Sequence, residues 1–384
     1  MELPSRPEWK RLGDVAEIIM GQSPPGCTYN LIGQGMPFLQ GKAEFGDVLP
    51  RHIKYTNKPL KVAPKGSVLI SVRAPVGDVN IANIDYCIGR GLASISLYDG
   101  DNNFLFYFLT YYKDRLENEG VGSTFKAISK SKLQNFRIPF PPLEIQRKIV
   151  AILEKAEAMK KFRAQADELI NQLLQSVFLE MFGDPVKNTK NWQIDSLENK
   201  CIKITDGEHL NPKLEPVGRH VILAGDVLEN GVAFSSNKFV SEGDFQKFIK
   251  KCNPEKNDLL LVSRGATIGR CTSIRTDTPF CLMGSVILIK PKNISHFYLE
   301  YLFKNHNFIR KVINLSSASA QQAIYLKHIK KLQIPVPPSN LQDKFEFIVN
   351  KLEKLNEGHK QTREEIENLF NVLMQKAFTG ELVA

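Results

Sequence analysis

The chain has 384 residues, 42% hydrophobic and 24% charged, and its formal net charge is +10. This composition is typical of a folded protein of two or three domains and excludes a disordered chain. No apolar stretch approaches the roughly 18 residues of a transmembrane helix. The start, Met1–Arg6, lacks the apolar core of a secretory signal, so we expect no membrane segment and a cytoplasmic location. The basic excess permits a polyanionic partner such as nucleic acid.

Signatures of catalysis are missing from the sequence. The six cysteines form no Cys-x-x-Cys pair, which favours buried reduced thiols over a zinc site. No phosphate-binding glycine loop, zinc-protease motif or nucleophile elbow occurs. The nearest approach to chemistry is Ser23-Pro24-Pro25-Gly26, where Gly26 replaces the aromatic residue that base-methylating enzymes stack on a flipped base. A turn is the favoured interpretation, and the chain is predicted to be a binding protein with no catalytic residue, metal or cofactor of its own.

The first half of the chain reads as a mixed domain followed by a long helix. It opens on Trp9-Lys10-Arg11-Leu12, and short β-like runs such as 67–71 alternate with turns, one of which carries Arg73. A helix-like run at 104–112 and a polar loop at 122–130 lead to Ile138-Pro139-Phe140-Pro141-Pro142. From Leu143 to Phe182 there is neither Gly nor Pro, and apolar residues recur at helical spacing.

The second half repeats this order at a spacing of up to 196 residues. Trp192 opens it, a β-like run at 258–262 leads to Arg264, and a helix-like run follows at 297–308. A second polar loop at 316–324 precedes Ile334-Pro335-Val336-Pro337-Pro338, and both copies carry I-P-x-P-P-x-x-x-Q. The final segment has a heptad seam that includes Phe345, Leu352 and Leu369. We therefore predict four segments: 1–141, 142–182, 183–337 and 338–384.

The two long helices are expected to pair antiparallel and to span about 60 Å each. Phe162 and Gly358 are 196 residues apart and occupy equivalent mid-helix positions. One hypothesis is that the ring of Phe162 packs into the space left by Gly358. The alternative is a solvent-facing glycine.

Charge separates the segments. The net charge is +4 for residues 1–142, zero for 143–182, +8 for 183–338 and −2 for 339–384. If a polyanion is bound, the two globular domains bind it. Hydroxyls and Lys suit phosphate oxygens, Gln suits an adenine edge and Arg suits guanine, so candidate DNA contacts lie in the duplicated loops and at the two arginine turns. They are Arg73, Ser123, Thr124, Lys126, Arg264, Ser319, Gln321 and Gln322. Helix capping for the loops, and salt bridges within the domain for the arginines, are the competing interpretations.

The sequence resembles the specificity subunit of type I restriction-modification enzymes over its whole length. The resemblance rests on the order of domain and helix, on the two Pro-Pro-x-x-x-Gln motifs at 141–146 and 337–342, and on the ends of the two helices at 178–185 and 377–382. It implies an α+β fold: two similar mixed α/β target-recognition domains, separated by two long antiparallel coiled-coil helices and related by a pseudo-two-fold repeat.

The resemblance also implies a division of labour. Each domain would read one half of a bipartite target in double-stranded DNA, and the helices would set the spacing. Two methyltransferase subunits would dock and bring S-adenosylmethionine, and translocase/nuclease subunits would join for cleavage. Three alternatives stay open: the recognition subunit of a type IIB restriction system, a stand-alone DNA methyltransferase, and a coiled-coil adaptor without a role on DNA.

Overall fold

The computed structural model describes residues 8–120, 127–209, 212–234, 238–315 and 322–382. Its Cα positions divide into two compact units. Unit 1 comprises Met1–Ala164 and Lys360–Ala384, and unit 2 comprises Gln165–His359. Each unit therefore contains one half of each long helix.

The elements of the first half, in chain order, are β1 (Trp9–Arg11), α1 (Leu12–Val15), β2 (Ala16–Met20), β3 (Tyr29–Asn30), β4 (Met36–Leu39), β5 (Lys54–Thr56), β6 (Val62–Ala63), β7 (Val68–Ser71), β8 (Val79–Ile81), β9 (Tyr86–Ile88), β10 (Leu92–Leu97), α2 (Asn102–Tyr111), α3 (Lys113–Glu119), α4 (Lys130–Asn135), β11 (Arg137–Pro139) and α5 (Leu143–Phe182).

The elements of the second half are β12 (Gln193–Ser196), β13 (Cys201–Asp206), β14 (Arg219–Ile222), β15 (Val227–Leu228), β16 (Gly231–Val232), β17 (Phe239–Val240), α6 (Glu242–Lys251), β18 (Leu259–Val262), β19 (Cys271–Ser273), β20 (Phe280–Leu282), β21 (Val286–Pro291), α7 (His296–Lys304), α8 (His306–Asn314), α9 (Leu326–Lys330), β22 (Gln333–Val336) and α10 (Ser339–Thr379).

The sheets confirm the internal repeat. Unit 1 has an antiparallel four-stranded sheet in the order β2-β10-β7-β8, and unit 2 has its counterpart in the order β13-β21-β18-β19. The strand at each opening tryptophan pairs with the strand of an I-P motif: β1, which begins at Trp9, pairs with β11, and β12, which follows Trp192, pairs with β22. The remaining sheets differ: β3-β5-β4-β9-β6 in unit 1, and β17-β14-β20 with the β15-β16 hairpin in unit 2.

The glutamine of each I-P-x-P-P-x-x-x-Q motif is buried and joins two helix starts. The carboxamide of Gln146 donates to the Pro141 carbonyl at 2.8 Å, and its oxygen accepts the N–H of Asp101, the N-cap residue of α2, at 2.9 Å. Gln342 donates to the Pro337 carbonyl at 2.7 Å and accepts the N–H of Ser295, before α7, at 2.8 Å. The repeated motif therefore has a structural role, since a buried carboxamide must be hydrogen-bonded.

The long helices confirm the prediction from periodicity, and Gly183 ends α5 with φ of 79°. Their ends are buried in the cores. Unit 1 buries Leu153 of α5 with Phe378 of α10, while Lys160 Nζ lies 2.8 Å from Glu367, so these segments run antiparallel. Unit 2 buries Phe178 with Phe345.

The predicted heptad seam is buried over only part of α10. Phe345 is completely buried and Leu352 is partly buried, whereas Leu369 is 47% exposed. The reason is that each helix end packs on the core of a globular domain, which sets the buried face independently of a continuous heptad. In unit 1 the Phe162 ring is 69% exposed, and in unit 2 Gly358 is exposed and a Cβ there would meet no atom within 4 Å, so nothing in the structure supports the hypothesis that the ring fills the space left by the glycine.

Four of the six cysteines follow the prediction of buried thiols. Cys87, Cys252, Cys271 and Cys281 are buried free thiols and Cys201 is half-buried, but Cys27 is exposed. Within the described ranges, no helix is both long and apolar enough to cross a membrane.

Candidate nucleic-acid interface

In both units the predicted arginine turn lies at one end of the four-stranded sheet. Because neighbouring strands are antiparallel, the end of β2, the start of β10 and the end of β7 meet at the same side. We call this side edge 1 and define it by Gly21–Ser23, Val72–Gly77 and Gly89–Gly91. Edge 2, its counterpart in unit 2, consists of Gly207–His209, Ser263–Gly269 and Met283–Ser285.

The two edges share one hydrogen-bond framework. In edge 1, Gly21 N–H donates to the Leu92 carbonyl at 2.9 Å, and Val72 N–H to that of Gly91 at 2.9 Å. In edge 2, Gly207 N–H donates to the Val286 carbonyl at 3.1 Å, and Ser263 N–H to that of Ser285 at 2.9 Å. The duplicated scaffold therefore holds the three segments of each edge in the same relative places.

A glycine at the end of the first strand makes this framework possible. A Cβ on Gly21 would lie 2.1 Å from the Gly89 carbonyl oxygen, and one on Gly207 would lie 2.3 Å from that of Leu282. Neither clash involves a flexible side chain, so both positions require glycine for close approach of two backbones.

The predicted arginines and the ends of the predicted loops come together. Arg73 forms a β-bridge with Ala127, and Arg264 forms one with Ala323. Gln322, which is exposed, directly precedes Ala323. The other predicted contacts, Ser123, Thr124, Lys126, Ser319 and Gln321, lie outside the described residues and precede the bridged alanines in the chain.

Both predicted arginines are exposed. Within the described ranges the structure gives neither Arg73 nor Arg264 an ion pair or a side-chain hydrogen bond, so the competing interpretation of a salt bridge within the domain finds no support there. Two exposed guanidinium groups that have no partner among the described residues, in basic domains, are suited to phosphate or base contacts.

Sequence reasoning missed four polar residues at the edges. Edge 1 also presents Gln22 and the exposed Arg90, and edge 2 presents Glu208 and the exposed His209. The available signal was a repeated glycine, Gly21 and Gly207, at the end of a β-like run in each half. Only the backbone pairing shows that the segment after each glycine lies beside an arginine turn.

Beside each edge lies a carboxylate that is paired with two basic side chains. In edge 2, His209 Nε2 lies 2.6 Å from Asp206, and Lys251 lies 3.0 Å from the same carboxylate. Burial alone would raise the pKa of Asp206, but Lys251 and His209 lower it below its ordinary value. Beside edge 1, Asp78 has the same relation to Lys113 and Lys42, and its pKa is also lowered.

The Ser23-Pro24-Pro25-Gly26 segment is a turn. Thr28 N–H donates to the Pro25 carbonyl at 2.9 Å, and the Tyr29 hydroxyl donates to that of Pro24 at 2.8 Å. Ser23 Oγ accepts the N–H of Arg90 at 3.3 Å, which ties the turn to edge 1.

Comparisons with known proteins agree with this architecture. The family model described as "Type I restriction modification DNA specificity domain" matches residues 4–174 and 219–368. The putative type I restriction enzyme MjaX specificity subunit of Methanocaldococcus jannaschii is 48% identical over 46% of this chain, a match that spans 42% of that protein. The MjaIX specificity subunit of the same organism is 24% identical over 99% of this chain and 94% of its own. The crystal structure of a type I restriction-modification S subunit from M. genitalium has the same fold, with a TM-score of 0.56 at 18% identity over 98% of each chain.

Proposed function

The chain belongs to the family of type I restriction-modification DNA specificity proteins, and on that premise we propose that each unit binds one half of a bipartite DNA target through its edge. The proposal rests on the two edges. The same backbone hydrogen-bond framework occurs twice in one chain, and the side chains on it differ between the two copies. Two similar domains in a single chain can face two half-sites as a dimer does, yet read different sequences.

Domain exchange tests this proposal. Residues 183–337 are replaced by the corresponding domain of a relative, and the target of the assembled complex is read from methylated sites in a host genome. We expect one half-site to change and the other to stay. A change in both half-sites would refute independent reading.

The contacts at the edges have separable effects. Arg73→Ala and Lys126→Ala are expected to weaken binding of all sequences and to lower the slope of log affinity against log salt by about one each. Gln322→Ala is expected to cost roughly 1–3 kcal/mol on the cognate half-site only. Unchanged affinity in a salt titration of all three variants would remove the edges and their loops from the DNA interface.

We propose that the chain carries no catalytic residue and that methyltransferase subunits bring S-adenosylmethionine to it in the cytoplasm, with translocase/nuclease subunits joining for cleavage. Large apolar side chains stay exposed along both long helices, among them Leu173 on α5 and Phe347 on α10, the latter 70% exposed. Such residues suit helix docking, and Phe347→Glu is expected to weaken assembly measured by analytical ultracentrifugation. Methyl transfer by the isolated chain would contradict this assignment.

The lengths of the two helices are proposed to set the number of unread base pairs between half-sites. Insertion of one heptad into each helix at matched positions is expected to lengthen the spacer while both half-sites keep their sequence. An unchanged spacer would contradict it.

A further inference from the structure

Recognition of two different half-sites requires side chains that differ between the two edges. Arg73 and Arg264 occupy the same place in both edges, so they provide the same chemistry to each half-site. The turn before β10 in edge 1 differs from the turn before β21 in edge 2. Counted back from Leu92 and Val286, which occupy matching places in the framework, Arg90 corresponds to Gly284.

Hydrogen bonds and close backbone packing hold the Gly89-Arg90-Gly91 turn in place. Arg90 N–H donates to Ser23 Oγ, Leu92 N–H donates to the Gly89 carbonyl at 3.0 Å, and the Gly91 carbonyl accepts from Val72. A Cβ on Gly91 would lie 2.6 Å from the Gln40 carbonyl oxygen, so the turn is packed against backbone. A rigid backbone holds a recognition side chain at low entropic cost.

Arg90 is the one side chain that this turn presents, because glycine stands on both sides of it. It is exposed, and in the part of the chain that the structure describes its guanidinium has no ion pair and no hydrogen bond. The Gly91–Val72 hydrogen bond joins its turn to the residue before Arg73. Edge 1 thus has two exposed arginines, Arg73 and Arg90, on neighbouring backbone segments, and neither has a side-chain partner among the described residues.

Edge 2 fills the same place in another way. A Cβ on Gly284 would lie 2.4 Å from Nδ1 of His209, so the imidazole occupies the space into which a side chain at position 284 would grow. His209 follows Glu208 and lies 2.6 Å from Asp206 through its other ring nitrogen. The guanidinium of edge 1 is therefore replaced in edge 2 by an imidazole paired with a carboxylate.

We propose that Arg90 is a specificity-determining residue that reads a guanine in the half-site bound by unit 1, and that unit 2 lacks this contact. The inference rests on the proposed function. Arg donates two parallel hydrogen bonds to O6 and N7 of guanine, a pairing that no other base matches. A lysine in its place keeps the charge but not the planar fork.

The test uses the complex of this chain with its methyltransferase subunits and selection from a randomised duplex DNA library. For the unaltered chain we expect a bipartite motif with a guanine that depends on Arg90. For Arg90→Ala we expect that one position in one half-site to relax, with a loss of discrimination of roughly 5- to 150-fold, while the other half-site is unchanged. Arg90→Lys is expected to lose most of the discrimination but to keep the affinity for unrelated DNA.

Arg137→Ala, an exposed arginine on β11 in the same unit, removes the same charge and should leave the motif intact. The inference would be overturned if the selected motif were unchanged in Arg90→Ala. It would also be overturned if Arg90→Ala lowered the affinity for all sequences equally while Arg90→Lys behaved as the unaltered chain. Either result would make Arg90 a phosphate contact at most. Failure of the unaltered complex to select any bipartite motif would instead overturn the proposed function.

Discussion

Helices α2 and α7 occupy corresponding places in units 1 and 2 and both bury aromatic rings, but α7 also buries a carboxylate that belongs to an ionic cluster. Counted from the N-cap positions Asp101 and Ser295, Phe106 corresponds to Glu300. Phe106 belongs to the hydrophobic core of unit 1, whereas Glu300 is completely buried in unit 2. The same backbone position therefore accepts a ring that packs against apolar side chains or a carboxylate that pairs with basic side chains.

The partners of Glu300 complete a buried ionic cluster. Arg275 lies 3.1 Å and Lys304 2.7 Å from the Glu300 carboxylate, and Arg275 also pairs with Glu353 of α10. Burial alone would raise the pKa of Glu300, but Lys304 and Arg275 lower it to about 2. In unit 1, Glu157 of α5 accepts the Tyr107 hydroxyl at 2.8 Å and pairs with the exposed Lys161 at 3.3 Å. A buried charge is tolerated when it is paired, and removal of one member leaves the others uncompensated.

The largest expected effect is therefore that of Glu300→Gln. It should lower the free energy of unfolding of unit 2 by about 3–5 kcal/mol, because Arg275 and Lys304 lose their shared anion. The chain has two tryptophans, Trp9 in unit 1 and Trp192 in unit 2. Fluorescence-detected urea unfolding in a Trp9→Phe background therefore reports on unit 2.

The matched control is Glu157→Gln, followed through Trp9 in a Trp192→Phe background. A glutamine oxygen still accepts the Tyr107 hydroxyl, so the expected cost is below about 1 kcal/mol. Equal losses in the two units would show that the ionic cluster has no special importance.

The same cluster predicts a difference in acid stability. A carboxylate whose pKa falls from 4.5 to about 2 on folding stabilises the folded state fully above pH 4.5, and this contribution, about 3 kcal/mol, is lost as the pH falls from 4.5 to 2. The stability difference between the unaltered chain and Glu300→Gln should therefore shrink over this range. Unfolding curves at pH 6, 4 and 3 measure it, and a constant difference would rule out the lowered pKa.

A smaller effect is expected at the two framework glycines. Gly21→Ala and Gly207→Ala should each destabilise their own unit by about 1–3 kcal/mol, because the new methyl group meets a backbone carbonyl. Gly26→Ala in unit 1 and Gly225→Ala in unit 2 are controls, since a Cβ there meets nothing within 4 Å. Thermal unfolding of the four variants compares them, and a clear loss in only one unit would break the equivalence of the edges.

The sequence predicted what depends on local spacing: α5, α10 and the repeated order of elements. It also predicted the turn positions of Arg73 and Arg264, because each arginine follows a β-like run, while their contact with DNA stays a prediction. It did not predict Arg90 or His209, because these become neighbours of the arginine turns only through pairing between segments far apart in sequence. The buried ionic cluster was missed for the same reason: Arg275, Glu300 and Glu353 lie on three separate elements.

The smallest expected effect concerns the midpoints of the long helices. Gly358 lies within α10 and is exposed, and a Cβ there would meet no atom within 4 Å. Gly358→Ala is therefore expected to raise stability by about 1 kcal/mol, because alanine loses less backbone entropy on forming a helix. Phe162→Ala at the equivalent position of α5 should change stability by less than about 0.5 kcal/mol, since the ring is already mostly exposed. Thermal unfolding measures both, and a loss of stability in Gly358→Ala would show that the middle of α10 needs the glycine for close approach of another group.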